Sequence, residues 1–423
     1  MLLKYTKYTW QLIRLLLPRI SITTVVLLVI RIGTFIPVPG INHTDLAFSI
    51  QQNLVAQDLI RTFLGDKTFI ISLFTLNIFP AINATIILQF LIGFSPQLAE
   101  LQKEGDFQAK REISRLTRNI TLVLAIIQSV GITLYLRPIL FNWNIFLASQ
   151  IIILLTAGAM TVLWLSEFIT DYGLGNGTSV LVYTNIVSNL PNLLKKINAE
   201  ANVNLTFLSG LSMFGLVIIL MLMLCAIVLL QKASFRINLI SSRRLGSKVR
   251  FKDRTRSYLP LRFNSAGVMP IILTTSFLVI PNYLINLRVF QSLNFLIDFK
   301  WIYWIGYFVL ILGFSSFYST LVLNPKDISD EFQKSAVTII GVRPGVQTIF
   351  YLKQEIRRVT LLGATLLAFI TIVPNFIEST LNITSLKGLS TTSFLILSGV
   401  ILDLRRDIEN IYVSKIYNKV RKP

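Results

Sequence analysis

Apolar runs almost free of charge recur ten times along the chain, most of them about the length of a bilayer crossing. A helix rising 1.5 Å per residue needs about 20 apolar residues to cross a hydrocarbon core. The runs fall at roughly 20–38, 69–94, 119–136, 145–165, 178–190, 208–230, 264–282, 301–323, 359–377 and 388–402, and each predicts a spanning helix. The clearest are LSGLSMFGLVIILMLMLCAIVLL (208–230) and WIYWIGYFVLILGFSSFYSTLVL (301–323). The runs at 178–190 and 388–402 are short and carry Ser, Thr and Gly, which suits spans facing protein or a cavity rather than lipid. The run at 69–94 is overlong and has Pro80 in its middle. Proline removes a helical hydrogen bond and disfavours the α conformation in its predecessor. Either one kinked helix runs through, or a short re-entrant piece precedes the true span.

Charge orients these spans. An even number puts both termini on one side, together with 95–118, 166–177, 231–263 and 324–358. The segments on that side hold 31 basic and 14 acidic residues, and the opposite side holds 8 and 6. By the positive-inside rule the basic side is cytoplasmic or its equivalent. Segment 166–177, with two acids and no base, runs against the trend. Composition agrees with the spans: 53% of the 423 residues are hydrophobic and 14% charged, with mean hydropathy +0.66. A soluble protein carries roughly 25% charged residues. These values exclude a disordered, collagenous, coiled-coil or disulfide-scaffold chain and predict an all-α polytopic membrane protein. The first twenty residues show no small-residue cleavage site and read as a mature start on the basic side.

Enzyme chemistry is thin. One histidine (His43) and one cysteine (Cys225) make no metal cluster, disulfide or nucleophile–base pair. No phosphate-binding G-x-x-x-x-G-K-[ST] loop occurs. GLGNG (173–177) reads as a tight turn opening the fifth span, with an anion site as the alternative. The predicted spans contain no Asp, Glu or Lys, and Arg31 is their one charge. That argues against a proton or metal-ion pathway, while Na⁺ coupling through carbonyls and hydroxyls stays open. Arg31 reads as a residue that snorkels or caps a neighbouring helix end. Residues 232–262 hold ten basic residues and one acid. Such a loop suits anionic lipid headgroups, or a large anionic partner such as ribosomal RNA or an acidic motor surface. GVRPG (341–345) presents Arg343 from a turn, held extended by Pro344.

Seven motifs in one order carry a family resemblance. They are RIGTFIPVPG (31–40), LNIFPAINATIILQ (76–89), LQKEGDFQAKREI (101–113), GLGNGTSVLVYTNIVSNLP (173–191), YLPLRFNSAGVMPI (258–271), LVLNPKDISDEFQKSA (321–336) and GVRPGVQT (341–348). With the ten-span pattern, the chain resembles the SecY family, pore subunits of the protein-conducting channel.

The resemblance implies ten transmembrane helices in two pseudo-symmetric inverted halves, 20–190 and 191–402. The flanking tails are 1–19 and 403–423, and the basic cytoplasmic loops are 231–263 and 324–358. It implies a lateral gate between the second–third and seventh–eighth spans. It also implies a re-entrant plug at about 58–73, including Phe63, Leu64, Gly65, Phe69, Ile70 and Ile71. The family's pore ring falls on Ile78, Ile82, Thr178, Val182, Ile272 and Ile396. Ile78/Ile82 and Thr178/Val182 are four apart and so share a helix face; apolar rings gate by dewetting. Thr178 puts a hydroxyl where the family has an aliphatic residue, so either the ring is wetter there or the register is off by one. Arg343 falls at the family's contact arginine for a motor ATPase or ribosome, with Arg243 and Arg244 in the other docking loop.

The implied partners are SecE and SecG-like small subunits, a SecA-type motor ATPase, a translating ribosome, signal peptides, unfolded preproteins and membrane lipid. No cofactor and no catalytic residue are implied. Motif wording and an Ile/Asn/Lys-rich composition point to the cyanobacterial and plastid branch, hence a thylakoid membrane, with a bacterial plasma membrane as alternative. A small-molecule secondary transporter is the competing reading, because broken helices in repeated halves serve both.

Overall fold

The computed structural model describes residues 2–39, 71–104, 107–136, 144–188, 191, 207–241, 257–264, 267, 270–271, 273–274, 300–381 and 391–420. The helices are α1 (Leu2–Gly33), α2 (Phe79–Phe94), α3 (Pro96–Glu104), α4 (Phe107–Leu136), α5 (Ile145–Tyr172), α6 (177–188), α7 (Phe207–Lys232), α8 (Lys300–Val322), α9 (Pro325–Lys334), α10 (Val346–Leu381) and α11 (Thr391–Val420). Three strands accompany them: β1 (Ser234–Ser241), β2 (Ser257–Arg262) and β3 (Val337–Ile339). Among the described residues five helices are long and apolar enough to cross a membrane, or six if the broken pair α2–α3, bent by 111°, counts as one crossing. The predicted span at 264–282 lies mostly outside the described residues.

The chain divides into two compact units, residues 1–200 with 400–423, and residues 201–399. In the first, α1, α2, α4 and α5 enclose apolar clusters through Val26, Ile30, Phe74, Ile78, Val162 and Leu181, and through Val38, Ile71, Leu76, Ala125 and Leu155. Lipid offers hydroxyls no partner, so several along α4 and α5 bond to protein. Thr121, Ser129, Thr133 and Thr156 donate to carbonyls four residues back at 2.6–2.7 Å, and Ser129 and Thr156 also meet across α4 and α5 at 3.1 Å. Arg31 lies in the last turn of α1, where a cation offsets the helix's negative end. Its guanidinium sits 5.5 Å from the Phe35 ring centroid, a cation–π contact just past the helix end. The acidic anomaly at 166–177 has a local answer. Glu167 accepts two hydrogen bonds from Arg118 of α4, at 3.0 and 2.7 Å.

The second unit pairs membrane-type helices with a sheet that hydropathy did not predict. Its strand order is β2-β1-β3, all antiparallel, in register Ile237↔Leu259 and Leu239↔Ile339. Alternation points Ile237, Leu261 and Ile339 to one face, where they meet Leu352, Ile356 and Val359 of α10. Pro260 is tolerated because β2 is an edge strand. Below this cluster, α7, α8 and α10 pack through Met223, Ile227, Tyr307, Ile311 and Leu367. Ser319 and Thr360 join α8 to α10 at 2.7 Å, and Ser398 donates to Gln231 at 3.0 Å.

Candidate pore wall and docking turn

Pro80 does not kink a helix. It stands in the first turn of α2, which begins at Phe79. There its missing N–H is no loss and its fixed φ suits the helix. The kinked-helix alternative for 69–94 therefore fails, and residues 71–78 are a run of turns instead. Val38 N–H donates to the Ile71 carbonyl at 2.9 Å and Leu73 N–H to the Ile36 carbonyl at 3.0 Å, bridging Pro37 to Ser72. Thr75, Asn77 and Phe79 then each donate backbone N–H to the carbonyl three residues back, at 3.0–3.2 Å. The Thr75 hydroxyl donates to the Ser72 carbonyl at 2.7 Å and accepts from Ser72 N–H at 2.8 Å. Asn77 takes a left-handed conformation at φ 47°, which Asn tolerates better than most residues. Gly158 of α5 lies against this run so closely that any Cβ would strike the Leu73 carbonyl.

This scaffold fixes part of the predicted ring. Ile78 is 1% exposed and caps α2, and its carbonyl accepts the Ile82 N–H at 3.1 Å. Ile82 and Val182 pack against the apolar cluster that contains Ile78. Thr178 stands in the first turn of α6. Both its N–H (3.1 Å) and its hydroxyl (2.8 Å) donate to Asn176 Oδ1. The hydroxyl therefore serves a helix cap. The face of Thr178 and Val182 continues four residues on to half-buried Ile186, which the sequence reading passed over. Asn176 directly before the helix was the available signal. The alternative of an anion at GLGNG also meets competition: Gly177 N–H is taken by Thr170 Oγ1 at 2.9 Å and Thr178 N–H by Asn176. Gly175 makes the turn at φ 76°. Ile396 lies half-buried in α11, while Ile272 falls outside the described residues.

Of the plug positions, Phe63, Leu64, Gly65, Phe69 and Ile70 lie outside the described residues. Ile71 is buried, and its side chain joins Val38, Leu76, Ala125, Ile151, Leu155 and Ala159 rather than the cluster of Ile78. With its carbonyl bonded to Val38, Ile71 is a fixed anchor of this unit.

Arg243 and Arg244 also fall outside the described residues, in the connection between β1 and β2. Arg343 is exposed on the turn between β3 and α10. Gly341 and Gly345 bound that turn at φ 81° and 101°. The Val342 N–H donates to the Ile339 carbonyl at 3.2 Å, and the Thr348 hydroxyl donates to the Arg343 carbonyl at 2.9 Å. The backbone is held while the guanidinium projects outward. Just before it, Asn324 caps α9 by accepting Lys326 N–H at 3.1 Å.

The sequence model of the SecY family matches residues 72–405. The chain is 51% identical over 418 residues to the protein translocase subunit SecY of Trieres chinensis, covering 95% of this chain and 97% of the relative. The subunits of that name from Guillardia theta and Synechocystis are 40% and 37% identical, covering 95% and 96% of this chain and 96% and 94% of theirs. Among solved structures, that of a protein-conducting channel superposes with TM-score 0.64 at 16% identity, covering 96% of this chain and 95% of the other. Sec61 from a canine ribosome–channel complex gives 0.60 at 15%, with the same coverage.

Proposed function

The chain belongs to the SecY family of protein translocase subunits, and on that premise we propose how its residues form and gate a polypeptide channel. It is a multi-pass membrane protein and the channel-forming subunit of a protein translocase. The names its relatives carry do not favour the small-molecule transporter. In our reading Ile78, Ile82, Val182, Ile272 and Ile396 contribute to an aliphatic waist, with Thr178 at its edge, and the waist resists water and ions until a chain enters. The observation that carries this is the gathering of Ile78, Ile82 and Val182 about one apolar cluster. Transmembrane segments leave sideways through the gate between the second–third and seventh–eighth spans.

The plug is the segment from about 58 to Ile70. Its anchor is Ile71, because that residue is tied to Val38 and buried in its own cluster. Arg343, with Arg243 and Arg244, docks the motor ATPase or the ribosome. SecE and SecG-like subunits complete the assembly. The thylakoid is the proposed membrane, supported by the motif resemblance and by cyanobacterial as well as other relatives. Planar-bilayer recording of the purified channel tests the gate. Deleting 60–70 raises resting ion conductance and leaves the protein folded. A deletion channel as tight as the parent would leave the waist as the only seal and remove the plug from the mechanism.

A further inference from the structure

Boundaries between compact units ordinarily fall in exposed connections. One boundary in this chain falls inside a helix. The second unit ends at Gly399 and the first resumes at Val400, while α11 runs unbroken from Thr391 to Val420. The other passage of the chain between the units, at residues 200–201, lies outside the described residues. Helix α11 is therefore one continuous rod with an arm in each unit.

Each arm has its own attachment. Before the boundary, the hydroxyl of Ser398, 6% exposed, donates to Gln231 Oε1 of α7 at 3.0 Å, within the second unit. After it, Leu404 lies over the turn that opens α6, within the first unit. A Cβ on Gly175 of that turn would come 2.5 Å from Leu404 Cδ2. The arm beyond Leu404 is also braced along its own length. Arg406 pairs with Asp403 at 3.2 Å and Arg405 with Glu409 at 2.8 Å, at spacings that support a helix.

The dipeptide Ser398–Gly399 stands at the boundary, between the two attachments. Glycine has the freest backbone and weakens a helix interior. Gly/Ser pairs are among the few places where helices kink sharply. Glycine in a membrane helix often serves close packing instead. Close packing alone gives no reason for the glycine to stand at the residue where the helix changes units. A chain in transit needs the channel to widen. A rod attached in two bodies meets any change between them in one of two ways: an attachment lets go, or the rod bends.

We propose that Ser398–Gly399 is a flex point built into α11. When the channel opens, the arm from Val400 onward stays seated on the Gly175 turn, the arm before it stays tied to α7, and the helix bends between them. This device is independent of the waist, plug and docking assignments.

The test uses the whole channel complex in lipid nanodiscs, with Cys225→Ser removing the one native thiol. Spin labels are placed through pairs of the substitutions Asn119→Cys, Thr320→Cys, Thr392→Cys and Asn410→Cys. Asn119 of α4 and Asn410 belong to the first unit, Thr320 of α8 and Thr392 to the second, and Asn119, Thr320 and Asn410 are exposed. Distances are read with the channel idle and with a preprotein arrested in transit by the motor ATPase. Asn410 stands eleven residues beyond Gly399, about 16 Å along the axis, so a bend of about 20° carries it about 6 Å. The pairs 119–410 and 392–320 should keep their distances, while 410–320 should shift by that amount.

If 119–410 or 392–320 shifts as far as 410–320, the helix swings as a rigid rod and the proposal fails. If no pair shifts, α11 does not bend in transit and the proposal fails. Gly399→Ala strengthens the helix at the boundary. It should shrink the 410–320 shift and slow preprotein transport about threefold. An alanine variant with the parent's shift and the parent's rate would remove the flex point from Gly399 and overturn the proposal. The distances in the parent decide the matter even where the alanine variant folds poorly.

Discussion

Helices α2 and α10 are each entered through a left-handed turn, and these two turns have opposite fates. The run 71–78 leads into α2 through Asn77 at φ 47°, with Pro80 in the first helical turn. The run 340–345 leads into α10 through Gly345 at φ 101°, with Pro344 just before it. The first turn is buried, and it delivers Ile78 at 1% exposure into an apolar cluster. The second is open, and it delivers Arg343 to water. The same local device thus serves a wall in one place and a handle in the other. What differs is the packing around it. An α5 glycine presses on the inner turn through Gly158 and Leu73, whereas a Cβ at Gly345 would meet nothing closer than Gln333 Nε2 at 3.7 Å.

That contrast separates steric from conformational cost, and substitution should expose it. Gly158→Ala places a methyl where the Leu73 carbonyl already lies, so two backbones must part. Overpacking of this kind costs about 3 kcal/mol at its upper range. Unfolding in mixed SDS micelles should show that loss, and the wall should loosen with it, seen as raised resting conductance. A Gly158→Ala channel as stable as the parent would mean that the inner turn yields, and the contrast would dissolve.

Gly345→Ala has room for its methyl, and only the backbone conformation objects. A non-glycine residue in the left-handed region costs about 1 kcal/mol at the low end of the usual range. The same unfolding measurement should show this smaller loss, with conductance unchanged. A loss as large as that of Gly158→Ala would show the outer turn to be packed after all.

The two turns were also unequally legible. Lipid demands long uncharged runs, so the runs at 145–165 and 301–323 already betray α5 and α8. Around Pro80 the break was visible but its meaning was not. Proline at a helix start and proline in a kink leave the same mark on hydropathy, and the bonds from Val38 and Leu73 that settle the matter join segments over thirty residues apart. At Thr178 the family register suggested a ring position, while the nearby Asn176 signalled a first-turn residue held by its cap. The sheet escaped because SFRINLIS and SYLPLR are short, and the basic run between them dominates the composition. Strand pairing with β3, about a hundred residues away, is a fact of tertiary structure. Arg343 was easier to find, since a residue displayed by a Gly-x-x-Pro-Gly turn needs no distant partner to be noticed.

Asn77 gives the smallest expected effect, and its sign carries the information. Its side chain is 8% exposed, and its Oδ1 lacks a hydrogen-bond partner among the described residues. A buried unsatisfied polar group costs about 1–3 kcal/mol. Asn77→Gly removes that group and suits the left-handed backbone, while added freedom in the unfolded chain costs about 0.5–1 kcal/mol. With the polar cost at its low end, about 1 kcal/mol, the terms nearly cancel, so the glycine variant should unfold within about 0.5 kcal/mol of the parent, on the more stable side. Asn77→Ala also removes the amide but adds a left-handed penalty of about 1–2 kcal/mol, so it should fall below the glycine variant. Unfolding of the two variants side by side in SDS mixed micelles reads the order directly. Glycine above alanine makes the inner turn a conformational device like the outer one, with burial as its distinguishing property. A glycine variant less stable than the parent by about 2 kcal/mol would instead mean that Oδ1 meets a partner in the membrane, and that the inner turn is held by a polar bond the outer turn does without.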